Sequence, residues 1–279
     1  MKRIIVIALS LSLFASVFGQ VNDGVYEKEH VPSRKPVPYP YLREADAMWS
    51  KKITRNLPLR EKLNHPLYYP TEQMGSRMSL TNLLMYGITN EGLTAYDAMV
   101  DDKFTVPLTK TQINDNFGAG MDTIVLINED TGAEEYSIIE TQPNYAECKQ
   151  YLMKEEWFFD NQRSLLEVRI IGLTAIREYY RPDDIDQEEV LKKKAFMIYF
   201  PEARRLFANH EVFNPKNDAE RRTFDDIFFK RKFSSFITKE SNVYDDRGIN
   251  EYTVGQAALF EAEKVKYWIA NFEHDMWEY

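Results

Sequence analysis

One cysteine, four histidines and eleven glycines in 279 residues leave several chemistries without material. The lone thiol, Cys148, excludes an internal disulfide and any site built on several thiolates, and we expect it to be buried and inert. None of His30, His65, His210 and His274 has another histidine three or four positions away. His210-Glu211 opens like a zincin helix, but Phe213 and Asn214 follow and no second histidine comes. Gly118-Ala119-Gly120 lacks the third glycine of a dinucleotide loop, and neither a GxxxxGK(S/T) run nor a G-x-S-x-G elbow occurs. Asn114-Asp115-Asn116 and Asn128-Glu129-Asp130 lack the glycine at position six and the glutamate at position twelve of a calcium loop, so they read as turns. Positive charge is also in short supply. Thirty-five basic against 44 acidic residues give a net charge of −9, which argues against nucleic acid as a partner, because phosphate-backbone binding needs a surplus of Lys and Arg.

What is present is ordinary globular material: 44% hydrophobic and 28% charged residues, far from a disordered composition. The exception is the N-terminus. Met1-Lys2-Arg3 followed by the apolar run Ile4 to Phe18 and by Gly19-Gln20 has the layout of a secretory signal (residues 1–19) cleaved near Gly19-Gln20. An apolar run of this length is short against the ~20 residues of a spanning helix. No cysteine lies near the cut to carry acyl groups, so we expect an exported, soluble chain that is not itself a lipoprotein.

From residue 20 to 41 the sequence is polar, and Pro36, Pro38 and Pro40 alternate with Val37, Tyr39 and Tyr41. Alternating prolines favour an extended polyproline II arm, either a spacer or a segment that lies on a partner. Residues 42–279 read as a single α+β domain, with 42–118 as a possible helical N-terminal subdomain. Leu42, Ala45, Met48, Trp49 and Ile53 recur at helical spacing up to Pro58. Lys51, Lys52, Arg55, Arg60 and Lys62 make this stretch locally basic, as a solvated helix face or as a patch for an acidic partner. Short helices are expected over Ser79 to Tyr86, Thr109 to Phe117, Pro201 to Phe207 and Glu220 to Phe233. Strands are expected over Asp122 to Asn128 and Glu134 to Ile139, joined as a hairpin, and over Tyr151 to Phe159, Leu165 to Tyr180, Lys194 to Phe200 and Ser234 to Val243. The fold class is therefore α+β: a central antiparallel sheet of about five strands, flanking helices, the Pro-rich arm and a long C-terminal helix.

That last helix has the strongest local signal. Thr253 and Gln256 fit a capping box, and Ala258, Ala262, Val265, Ile269, Phe272 and Met276 form one apolar stripe about 27 Å long. Packing on the protein's own sheet is the default, while Trp268, Trp277 and Tyr279 beside the stripe keep an intermolecular seam in view. Asp183-Asp184, Asp225-Asp226 and Asp245-Asp246 are sequence neighbours whose side chains diverge, so they read as surface pairs. Elimination leaves a structural or interaction protein. A periplasmic hydrolase or ligand-binding protein with a site of dispersed residues, and a secretion chaperone with a broad apolar groove, are the alternatives.

Specific strings carry more than composition. Trp49-Ser50-Lys51-Lys52-Ile53, Leu59-Arg60-Glu61-Lys62-Leu63-Asn64-His65-Pro66-Leu67-Tyr68-Tyr69-Pro70, Tyr199-Phe200-Pro201-Glu202-Ala203-Arg204-Arg205, Phe213-Asn214-Pro215-Lys216-Asn217, Arg221-Arg222-Thr223-Phe224-Asp225-Asp226-Ile227-Phe228 and Phe233-Ser234-Ser235-Phe236-Ile237 closely resemble the GldN/PorN family. The resemblance runs from about Tyr41 onward. It implies a structural component of the type IX secretion and gliding-motility machinery, located in the periplasm at the inner face of the outer membrane. It implies as partners an outer-membrane lipoprotein of the GldK/PorK type, the periplasmic part of a GldM/PorM-type motor protein, and further copies within a ring, with membrane association only through the lipoprotein. It implies no catalytic, cofactor or metal residues. Candidate interface residues are Pro36, Pro38, Tyr39, Pro40 and Tyr41 in the arm, Lys51, Lys52 and Arg55 in the basic stretch, and Trp268, Phe272 and Trp277 beside the helix stripe.

Overall fold

The computed structural model describes residues 25, 34–75, 77–127, 134–180, 189–217, 219–244 and 246–276, with backbone alone for 121–127 and 134–140. The expected signal, most of the first half of the arm, Asp183-Asp184, Asp245 and Trp277 lie outside the described residues.

Ten strands follow in chain order: β1 (Ala47–Pro58), β2 (Ala95–Tyr96), β3 (Gly120–Ile127), β4 (Glu134–Thr141), β5 (Cys148–Asp160), β6 (Leu165–Tyr180), β7 (Val190–Tyr199), β8 (Glu211–Val212), β9 (Arg222–Thr223) and β10 (Phe236–Glu240). The helices are α1 (His65–Tyr68), α2 (Leu80–Asn90), α3 (Lys110–Asn116), α4 (Phe200–Asn209), α5 (Phe224–Phe229) and α6 (Gln256–Asp275). The main sheet is antiparallel and six-stranded, in the order β10-β1-β5-β6-β7-β2. In its centre Leu57 pairs with Tyr151, Met153 with Leu173, and Leu173 with Ile198. Register shifts at Thr54/Arg55, Lys154/Glu155 and Ala175/Ile176 mark bulges, which raise the local twist of long strands.

The larger core lies between this sheet and α2, α4 and α5. Leu57, Tyr151, Met153, Leu173, Phe196 and Ile198 meet Leu83 and Leu84 of α2, Phe200 and Phe207 of α4, and Phe224 and Phe228 of α5. Each such fully buried side chain contributes about 1.5–3 kcal/mol relative to exposure. The rings of Phe200, Phe207 and Phe228 pack with centroids 5.4 to 5.6 Å apart. A second cluster joins Ile53, Ile237 and Ile249 to Ala262, Val265 and Ile269 of α6. The C-terminal stripe thus packs on the chain's own sheet.

The α+β class matches the expectation, with four corrections in its parts. Where a helix was expected through Met48, Trp49 and Ile53, the chain is strand β1, paired with β5 along its length and with β10 beyond. Trp49, Lys51, Ile53, Arg55 and Leu57 also satisfy a period of two, and tertiary pairing chooses between the two periods. The β3–β4 hairpin forms with Ile124 opposite Ser137, but as its own two-stranded sheet; β1, β10 and β2 complete the main one. Of the helix expected over 220–233 only Phe224–Phe229 is helical, because Thr223 Oγ1 and the Asp226 carboxylate form the capping box there and β9 precedes it. The capping box at Thr253 does not form: Thr253 Oγ1 donates to Ile249 O, and α6 starts after Gly255, whose φ of 64° only glycine adopts readily.

Candidate partner-binding surfaces

The arm ends on its own domain. Prolines at 36, 38 and 40 deny it a backbone ladder, so its carbonyls need outside donors. Arg204 Nη2 donates to Val37 O at 2.8 Å, and Arg169 Nη2 to Pro40 O at 2.6 Å. Between them the Tyr39 ring stacks on Phe229 at 6.0 Å, with the Arg204 guanidinium 4.2 Å and that of Arg169 5.3 Å from its centroid. Cation–π contacts of this kind contribute about 0.5–2 kcal/mol each. Burial pushes the Tyr39 hydroxyl pKa up, against the pull of Arg204. Pro38 and Tyr41 stay exposed.

Arg204 is held from behind. Its Nε and Nη2 donate to the two Asp225 oxygens at 2.9 and 3.0 Å, in a pair with each residue about 95% buried. The aspartates at 225 and 226 do diverge, but Asp225 is interior and not at the surface, while Asp226 caps α5 and meets Lys230 at 2.8 Å. Asn64, fully buried, donates to Pro58 O and Ser234 O and accepts from Ser234 N. Arg55 binds Ser235 through Oγ and O. Asn114 and Asn116, read as turn residues, sit on α3 instead, where they bind Tyr145 Oη and Ala195 O.

The basic stretch is a strand, not a helix face, so Lys51 and Lys52 point to opposite sides. Lys51 meets Glu240 at 2.7 Å, Arg60 meets Glu178 at 2.8 Å, and Lys52 is exposed.

Beside the stripe of α6, Trp49 of β1 packs on Phe272 at 4.7 Å, and Phe272 stacks on Trp268 at 5.7 Å with an interplanar angle of 16°. Lys51 Nζ lies 4.7 Å from the Trp268 ring. Trp268 remains 47% exposed, and Phe260 and Tyr267, one heptad apart on the outer side of α6, are each 65% exposed.

The strings that resemble a known family therefore meet in space: Asn64 with Ser234, Arg204 with Asp225. A protein-family model described as gliding motility associated protein GldN matches residues 42–278. The chain belongs to the GldN family. Its place is thus among the components of gliding motility and type IX secretion. No curated protein matches.

Among the described residues no set of three His, Cys, Asp or Glu side chains could hold a metal, and no helix is long and apolar enough to cross a membrane. Cys148 is buried, and burial pushes its thiol up to about 11. Sequence reasoning missed Arg169, Arg204, Asp225 and Phe229 as the seat of the arm. Arg204 and Asp225 stand 21 positions apart, and only the packing of α4 on α5 joins them.

Proposed function

We propose that this GldN-family chain is a non-enzymatic structural component of the type IX secretion and gliding machinery. It stands in the periplasm at the inner face of the outer membrane and forms a ring with a lipoprotein of the GldK/PorK type. The ring contacts the periplasmic part of a GldM/PorM-type motor protein. The observation that carries this reading is the family match over 42–278, which takes in nearly the whole described fold. The geometry supports it, since interior charges are paired while aromatic rings are left on the outside of α6.

A closed ring needs two different patches per subunit. The aromatic side formed by Trp268, Phe272, Phe260 and Tyr267 is one. The exposed edge of the arm, Pro38 and Tyr41 beside the half-buried Pro36, is the other; Tyr39, Pro40, Lys51 and Arg55 hold these edges in place through contacts within the chain.

Native mass spectrometry of residues 20–279, alone and mixed with the lipoprotein, tests the reading. A stoichiometric complex that grows in multiples is expected. Two folded components that stay separate overturn it.

A further inference from the structure

A cavity of about 410 Å³ opens over the polar side of the main sheet. Lys154 of β5, Lys192 and Lys194 of β7 and Lys239 of β10 line it, with Thr54 and Asn56 of β1. Set against Asp102 and Glu251 in the same lining, the four lysines leave a surplus of two positive charges in a chain of net charge −9, with Lys192 also meeting Glu178 at 3.5 Å.

The cavity has a built rim. Lys154 Nζ donates to Asp102 O at 2.6 Å, and the Asp102 carboxylate stands 3.7 Å from Lys194 Nζ and 3.6 Å from Lys239 Nζ. The loop that brings Asp102 there is pinned by Phe104, whose ring lies against Gly172, where a Cβ would come within 2.5 Å of it. Burial, reinforced by Lys52 and Lys239 and opposed by Asp102, pulls the Lys154 pKa down, so an entering anion would relieve it.

Asn56 adds the more selective feature. It is 9% exposed, and its Oδ1 has no hydrogen-bond partner among the described residues. Its orientation follows from its neighbours. The Glu178 carboxylate accepts only, so Gln150 must donate to it through Nε2; Gln150 Oε1 then accepts from Asn56 Nδ2, and Asn56 Oδ1 is left as the free acceptor. The occupant must therefore supply negative charge to lysines and a hydroxyl or amine donor to Asn56.

Asp102 and Glu251 in the lining favour hydroxyl donors and repel a purely acidic peptide. Among the described residues the lining has no aromatic ring for a nucleobase, while Leu152, Ile176 and Met197 offer an apolar wall to a sugar's C–H face. The volume lies within the range of small-molecule sites.

We propose that this cavity binds a phosphorylated, hydroxyl-bearing group of sugar-phosphate size, its phosphate among Lys154, Lys194 and Lys239 and a hydroxyl on Asn56 Oδ1. Such a group belongs either to a soluble sugar phosphate or to the headgroup of a phosphorylated lipid.

Calorimetric titration of the protein with glucose 6-phosphate, glucose and inorganic phosphate decides the chemistry. Saturable binding of glucose 6-phosphate is expected, at least about tenfold tighter than either fragment. Lys194→Gln with Lys239→Gln, both at half-exposed positions, should weaken it by about tenfold or more while leaving the melting temperature in place. Flotation with phosphatidylcholine vesicles carrying phosphatidylinositol 4-phosphate separates the sources. Capture that glucose 6-phosphate competes away assigns a lipid headgroup, and binding of the soluble sugar phosphate without capture assigns a free ligand. The proposal is overturned by affinity that the lysine substitutions leave unchanged, by inorganic phosphate binding as tightly as glucose 6-phosphate, or by no binding of either probe.

Discussion

At the scale of single residues, burial sets what Arg204 and Cys148 can do. Arg204 spends one nitrogen on Asp225 alone and shares another between Asp225 and the arm. Arg204→Ala leaves a buried carboxylate without its partner and should destabilise the fold by about 3–5 kcal/mol in urea unfolding. Replacing both partners, as Arg204→Met with Asp225→Leu, should recover most of that loss while the arm comes free, which loss of the Tyr39 ring-current shifts in NMR would report. A single variant as stable as the parent contradicts this account. Cys148 carries a pH signature. Its folded pKa of about 11 lies above the ordinary 9.0, so the folded state holds the proton more tightly. The associated stability is complete below pH 9 and is lost as pH rises to about 11, amounting to about 3 kcal/mol. Tyr151, raised in the same direction by burial, adds to it. Urea midpoints across that window should fall in the parent and fall less in Cys148→Ala.

At the scale of elements, legibility followed the source of each element's stability. The stripe of α6 was readable because its partners are presented every third or fourth residue along one helix, and Ala262, Val265 and Ile269 are buried as that spacing requires. Strand β1 was misread because Trp49 and Ile53, four residues apart, satisfy both periods, and its state is fixed by β5 about a hundred residues away, which no local window contains. The β3–β4 hairpin was readable from its turn, but its separation from the main sheet was not, since alternation says which face is apolar and not which strand lies alongside. Among candidate interface residues, the arm's Tyr39 could be singled out by composition, whereas its cage of Arg169, Arg204 and Phe229 comes from three separate elements. The two sides of α6 give a test. Ile269→Ala removes volume from the smaller core and should cost about 2–5 kcal/mol. Tyr267→Ala, on the outer side, should stay within about 0.5 kcal/mol. Equal effects in thermal melts would mean that α6 is not seated as described.

At the scale of the whole molecule, charge decides between the two kinds of seam that a ring of this chain could use. Copies of a chain with net charge −9 repel one another, and that repulsion is screened within about 10 Å at 0.1 M salt. A seam built from basic strand against acidic surface would weaken as salt is added, while an aromatic seam would strengthen, because screening removes the repulsion and leaves apolar burial intact. Lys51 is already engaged by Glu240 and Arg55 by Ser235, whereas Trp268, Phe260 and Tyr267 are exposed together. The aromatic seam is thus the better supplied. Sedimentation velocity of the chain with its lipoprotein should show assemblies that persist or grow as salt rises. Trp268→Ser with Tyr267→Ser should reduce them to small complexes without lowering the melting temperature of the monomer, and Lys52→Glu should leave them nearly unchanged. Assemblies that dissolve with salt and with Lys52→Glu, yet tolerate the aromatic substitutions, would transfer the seam to the basic strand.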